Sequence, residues 1–289
     1  MICDNITAAA GRLRFAGRDA GELARQYGTP LYLMDERRLR QNCRVYRESM
    51  SAHFSRAMPL YASKALSCRR VYEIVAEEGL GADVVSAGEI AMAKSAGFPM
   101  EKVFFHGSAK TDDEIAYAMD CGVGVFILDS LEELRAVERL AGERGRRQRV
   151  LLRLTPGIDP HTFEAVATGK VDSKFGQSIE TGQAMAFTLS ALDAPHIDLR
   201  GFHAHVGSQV FDSAVFCDTA DIMLRFMADV RAQTGYEAEM LNLGGGYGVR
   251  YVESDPHVDI AAEIASVAAR VRTLCDNIGL SEPMVLMEP

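Results

Sequence analysis

The sequence predicts an α/β protein folded as a closed (β/α)8 barrel. Two observations predict it. Short apolar runs recur near 58–62, 82–85, 103–105, 124–128, 149–154, 200–206, 239–243 and 284–288. Helix-like segments fall between them, near 69–78, 87–96, 112–120, 131–144, 179–192, 213–233 and 258–278. Strands that alternate with helices are joined by crossovers, and crossovers make a parallel sheet. Eight such strands in about 230 residues suit a barrel. A doubly wound open sheet is the alternative reading of the same pattern.

The elements follow in order. Arg14 to Gly17 reads as a small turn. Ala20 to Tyr27 reads as a short helix stopped at Gly28. Thr29-Pro30 introduces Leu31-Tyr32-Leu33-Met34, an expected strand. Asp35 is placed to cap a helix from Glu36 to about Ser51. Leu131, Leu134, Val137 and Leu140 show the helical period best. Pro156 to Gln177 is long, aperiodic and rich in Gly, Asp and Thr, so it reads as a functional loop after the fifth strand. The eighth strand ends at Glu288-Pro289, and the sequence shows no helix to cover it. Residues 1–35 are expected as an N-terminal segment and 36–289 as the barrel.

Composition narrows the function classes. Apolar residues make up 48% and charged residues 25% of 289, enough for a packed core. A net charge of −9 argues against a nucleic-acid or anionic-membrane surface. No apolar run reaches the ~18 residues of a membrane span, and no signal peptide is read at Met1 to Ala10. Cys3, Cys43, Cys68, Cys121, Cys217 and Cys275 are scattered without metal-like spacing. Reduced thiols in a cytoplasmic protein without a metal site are the expectation.

Chemistry in such a barrel collects at the C-terminal strand ends. There the sequence places Lys64; Ser86 and Glu89; His106, Ser108 and Lys110; Asp129 and Ser130; Arg153 and Thr155; His205, Ser208 and Gln209; Gly244 to Gly248; and Glu288. Lys64 closes the apolar run that starts at Met58. Burial there lowers a lysine's pKa and frees the amine for Schiff-base chemistry. The plainer reading is a lysine snorkelling into solvent. Gly244-Gly245-Gly246 lets backbone N–H groups approach an anion, or simply makes a tight turn. Ser208 adds a hydroxyl to the same place. His205 offers a flat ring to a flat cofactor, or is a satisfied core histidine; His203 on the same face reads as the structural one of the pair. Glu288 ends an apolar strand, where a carboxylate is costly unless paired. A pyridinium nitrogen is one such partner, which points to pyridoxal 5′-phosphate. Exposure at a chain end is the other reading.

Taken together, these residues resemble the alanine-racemase-fold pyridoxal-phosphate decarboxylases, the diaminopimelate-decarboxylating members most. The resemblance rests on Gly28-Thr29-Pro30-Leu31-Tyr32, Tyr61 to Ala65, Ala82 to Glu89 and Phe105-His106-Gly107. It continues through Leu152-Arg153, Pro156 to Thr162, Thr168-Gly169-Lys170 and Ser173 to Gly176. It closes with His205 to Gln209, Leu243 to Gly246 and Glu288-Pro289. It implies a TIM-like barrel of alanine-racemase type, with Lys64, His205 and Glu288 as catalytic residues. It implies that Lys64, Asp83, Arg153, His205, Ser208, Gly244, Gly245, Gly246 and Glu288 bind pyridoxal phosphate. It also implies a small amino-acid substrate, meso-2,6-diaminopimelate decarboxylated to L-lysine, and a homodimer. Ornithine, arginine or carboxynorspermidine as substrate, or a non-catalytic pyridoxal-phosphate carrier, are the alternatives. The strings at 160–162 and 168–170 favour diaminopimelate. The sequence departs from the family at Ser108-Ala109, where two asparagines are usual. The family also continues past Glu-Pro with Gly-Arg, a last barrel helix and a β-rich domain that supplies a cysteine and a tyrosine. The sequence is therefore expected to carry the barrel portion, with impaired turnover.

Overall fold

The computed structural model describes residues 3–158 and 175–289. The chain opens with β1 Ile6–Ala9, β2 Arg12–Phe15 and β3 Arg18–Asp19, a three-stranded antiparallel sheet. Its turns are Ala10-Gly11 and Ala16-Gly17, each with positive φ at both residues. Two-residue hairpin loops of this kind match the right-handed strand twist. The expected turn at 14–17 is thus the second bend of a sheet whose strands are too short and exposed to show alternation.

Helix α1 Ala20–Tyr27 follows, ending at Gly28 as expected. The strand expected at 31–34 does not form: these residues carry no regular structure and all are exposed, Tyr32 at 99%. Among the described residues no strand pairs with them, and apolar composition alone cannot replace that pairing. Asp35 accepts from Arg38 N–H and caps α2 Glu36–His53.

From there strand and helix alternate. They are β4 Ala57–Ala62, α3 Arg69–Glu77, β5 Gly81–Val84, α4 Ala87–Ser95, β6 Val103–Phe105, α5 Asp112–Asp120, β7 Val125–Leu128 and α6 Leu131–Glu143. Then come β8 Gln148–Thr155, the short β9 Gln177–Ser178, α7 Gln183–Asp193, β10 Ile197–His203, α8 Ala214–Thr234, β11 Met240–Asn242, α9 Ile260–Ile278 and β12 Met284–Met287. Strand pairing runs β10-β11-β12-β4-β5-β6-β7-β8, all parallel, and β10 also pairs with β8. That last pairing closes the barrel and removes the open-sheet alternative.

Strand alternation divides the core in two. Leu60, Phe104, Val125, Ile127, Leu151 and Leu286 point inward and fill the barrel. Their sequence neighbours, such as Val103, Phe105 and Phe126, point outward and pack under the helices.

Three successive strand-to-helix connections share one device. Ser86, Thr111 and Ser130 accept the N–H of Glu89, Glu114 and Glu133, three residues on. Each glutamate reaches back to a backbone N–H: Val85 at 2.7 Å, Thr111 at 3.1 Å and Asp129 at 2.8 Å. The spacing Ser/Thr-x-x-Glu announces this device in the sequence. It fixes the loops on which the site is built. The functional loop expected at 156–177 lies mostly outside the described residues, as do the strings at 160–162 and 168–170 and residues 173–174. Among the described residues no helix is long and apolar enough to cross a membrane.

Candidate active site

A cavity of about 340 Å³ opens at the C-terminal end of the barrel. Six of the residues that the resemblance implies bind the cofactor line it: Lys64, Asp83, Arg153, His205, Ser208 and Glu288. They come from five strands or the loops that follow them, so the fold and not the sequence brings them together. Val85, His106, Gly107, Ser108, Phe175 and His203 complete the wall.

Lys64 sits in the single 3-10 turn Ser63–Ala65 directly after β4. It is exposed at the mouth of the cavity and not buried as expected. Its neighbour Ser63 is buried and donates to Asp83 O at 2.7 Å and to Glu89 Oε2 at 2.9 Å. The same Glu89 oxygen accepts from Val85 N–H. The turn that carries the lysine is therefore pinned to the next strand.

Glu288 is 7% exposed. Its Oε1 accepts from Asn242 Nδ2 at 2.8 Å and lies 3.0 Å from His106 Nε2 and 3.3 Å from His203 Nε2. Burial alone raises a carboxylate's pKa, but the two histidines outweigh it here and hold Glu288 well below its ordinary range. His203 is pushed down to about 4 by burial, against the pull of Glu288. Asp83, buried beside them, is pushed up to about 6 by burial, with His106 opposing. The three donor atoms of His106, His203 and Glu288 lie within 4.8 Å of one another, close enough to share a cation.

His205 is pushed down to about 3 by burial, so its ring is neutral at pH 7. Its Nδ1 accepts from Gly245 N–H at 3.3 Å, which leaves the proton on Nε2. Arg153 reaches Asp129 at 3.7 Å, and its guanidinium lies 4.3 Å from the Phe175 ring centre. Burial lowers the Arg153 pKa, with Asp129 opposing. Asp129 also accepts from Gly176 N–H and Gln177 Nε2, and so ties residues 175–177 to the end of β7. Lys110 is buried beneath this rim. It donates to Glu133 Oε1 at 2.5 Å, Gly107 O at 2.7 Å and Ile127 O at 2.8 Å.

The glycine triplet lies behind the cavity wall. Gly244 N–H donates to Asn242 Oδ1 at 2.9 Å, and Gly245 N–H goes to His205. Two of its three N–H groups are thus already used inside the protein. A Cβ on Gly245 would stand 1.8 Å from Glu288 O, and one on Gly246 1.8 Å from Gly207 O. The glycines are needed for close packing whatever ligand binds.

The sequence placed His106 at a strand end without giving it a role, read His203 as the structural histidine of its pair and did not mark Asn242. Each had a signal: a polar side chain within or directly after an apolar strand. Asn242 interrupts Met240-Leu241-Leu243.

The family described as pyridoxal-dependent decarboxylase, pyridoxal binding domain, matches residues 36–289. The diaminopimelate decarboxylase of Bacillus subtilis is 36% identical over 279 residues, 96% of this chain and 64% of the relative. That of Mycobacterium tuberculosis is 37% identical over 286 residues, 96% of this chain and 63% of the relative. The crystal structure of diaminopimelate decarboxylase from M. jannaschii superposes with a TM-score of 0.90 at 31% identity, covering 99% of this chain and 66% of that one. The Helicobacter pylori diaminopimelate decarboxylase complexed with L-lysine gives 0.81 at 26%, covering 93% and 65%. The chain thus spans just under two thirds of the length of these relatives.

Proposed function

The chain belongs to the pyridoxal-dependent decarboxylases, and from that premise we propose that it binds pyridoxal 5′-phosphate through Lys64 and decarboxylates meso-2,6-diaminopimelate to L-lysine. One observation carries the reading. A lysine exposed at a 340 Å³ cavity shares its lining with a buried carboxylate from the neighbouring strand β12, with a serine at the rim. The cavity also fits the cofactor by its unmet polar atoms. Asp83 Oδ1 and His203 Nδ1 are buried without a hydrogen bond.

Pyridoxal phosphate supplies an electron sink for the pair left behind when carbon dioxide departs. The protein's residues do the rest. Lys64 would supply the primary amine that holds the cofactor. Glu288, held anionic, would pair with the cofactor's ring nitrogen and favour its protonated form. His205 offers a neutral, flat ring face. Ser208 donates its hydroxyl to the phosphate, and Gly246 adds the N–H of the triplet that neither Asn242 nor His205 takes up. Asp83 and Arg153 set the charge of the wall. The solved relative complexed with L-lysine supports an amino-acid product of this size. Pairing of two copies belongs to the same proposal, and sedimentation equilibrium of the loaded chain tests it.

Release of labelled carbon dioxide from carboxyl-labelled substrate tests the reaction. Release from meso-diaminopimelate and none from L-ornithine is expected. Preference for ornithine or arginine would contradict the substrate. Cofactor binding without any release would favour a carrier.

A further inference from the structure

We propose that His203 and His106 are positioning residues that hold Glu288 by one carboxylate oxygen and so present the other to the cofactor's ring nitrogen. The inference rests on the cofactor reading above and deepens it. Three nitrogens converge on Glu288 Oε1, from Asn242 at 2.8 Å, His106 at 3.0 Å and His203 at 3.3 Å. They come from the ends of β11, β6 and β10, so the oxygen is met from three directions, by Asn242 as an aligned hydrogen bond and by the two imidazoles at ion-pair contact distance. Among the described residues no hydrogen bond reaches Oε2. Glu288 lines the cavity, which makes Oε2 the oxygen left for a ligand.

The grip is built, not incidental. Asn242 Oδ1 accepts from Gly244 N–H, which fixes the amide so that Nδ2 faces Glu288. The two imidazoles pack edge to face, with centroids 4.8 Å apart and planes at 76°, so each fixes the other's tilt. Both are buried, at 5% and 1% exposure, and cannot turn into solvent. Backbone contact fixes the other end of the residue: Glu288 N–H donates to Gly244 O at 2.8 Å.

A neutral imidazole suits this task. Its N–H stabilises the carboxylate without cancelling its charge, so an ionised oxygen remains for a protonated ring nitrogen. The low pKa of His203 agrees with that role. A charged histidine would compete with the ring for the same anion.

The test uses the full chain loaded with pyridoxal 5′-phosphate labelled with 15N in the ring, read by the 15N chemical shift. The unsubstituted protein is expected to show a protonated ring nitrogen. His203→Phe and His106→Phe keep ring bulk and lose the donor; both are expected to move the shift more than halfway to the unprotonated value. His203→Gln and His106→Gln restore a donor and are expected to return most of it. The inference is overturned if the Phe variants keep the unsubstituted shift, or if the Gln variants lose as much as the Phe ones. A folded Phe variant that no longer retains the cofactor also counts against it, because Lys64 and Ser208 are untouched. If one position does not tolerate Phe, the pair at the other decides. Failure of the unsubstituted chain to bind the cofactor at all overturns the cofactor reading, and this inference with it.

Discussion

Gly245 and Glu288 are packed backbone to backbone: a Cβ on Gly245 would stand 1.8 Å from the Glu288 carbonyl oxygen. Gly245→Ala must therefore push the end of β12 away and carry Glu288 with it. Overpacking of this kind costs about 3 kcal/mol. Urea unfolding should show a loss of that order, and cofactor affinity should fall at least tenfold. Unchanged stability and affinity would show that β12 yields freely.

Lys110 and Glu133 form a buried pair, with side chains 1% and 9% exposed. Lys110→Met strands the Glu133 carboxylate among apolar groups and should cost about 3–5 kcal/mol. The double variant Lys110→Met, Glu133→Gln removes the stranded charge and should recover part of that loss. The same pair anchors Gly107, next to His106, and Asp129, which meets Arg153. Equal losses in single and double variants, by urea titration, would contradict the pairing.

Acid should weaken the fold through its buried histidines. His203 falls to about 4 from 6.5 in the folded chain, and His205 to about 3. Between pH 6.5 and 4 the unfolded chain binds protons that the folded chain refuses, so stability is lost as pH falls through that window. Glu288, also depressed, acts in the same direction at lower pH. Asp83 acts in the opposite direction: its contribution is present below 3.8 and lost as pH rises through about 6. His203→Phe should flatten the acid limb by about 3 kcal/mol. The check is unfolding free energy at pH 7 and pH 4.5 for both chains; an unflattened limb contradicts the assignment.

Ser208 is expected to bind the cofactor's phosphate. Ser208→Ala should lower affinity for pyridoxal 5′-phosphate about tenfold, near the worth of one hydrogen bond to a charged group. Affinity for pyridoxal, which has no phosphate, should not change. Equal effects on both ligands would place the serine elsewhere.

The barrel was legible because it follows from two periods, 2 in strands and 3.6 in helices, and both survive burial. Helices such as Asp112–Asp120 are found where the apolar spacing and caps predict them. The sheet at 6–19 was not legible, because exposed two- to four-residue strands have no buried face to mark. Leu31 to Met34 misled for the converse reason: an apolar run fixes a preference, while a strand also needs a partner. Site residues on different strand ends, Lys64 and Glu288 among them, could be named from their positions. The Glu288 contacts with Asn242, His106 and His203 could not, because they depend on which inward face each strand end turns to the barrel axis.

The central claim is that Lys64 carries the cofactor. The direct measurement is to add pyridoxal 5′-phosphate, reduce with borohydride and locate the fixed adduct by peptide mass spectrometry. One adduct on the peptide containing Lys64 is predicted, together with a protein-bound absorbance band that is absent in Lys64→Ala. An unchanged band in that variant, or an adduct on another lysine, would contradict the account.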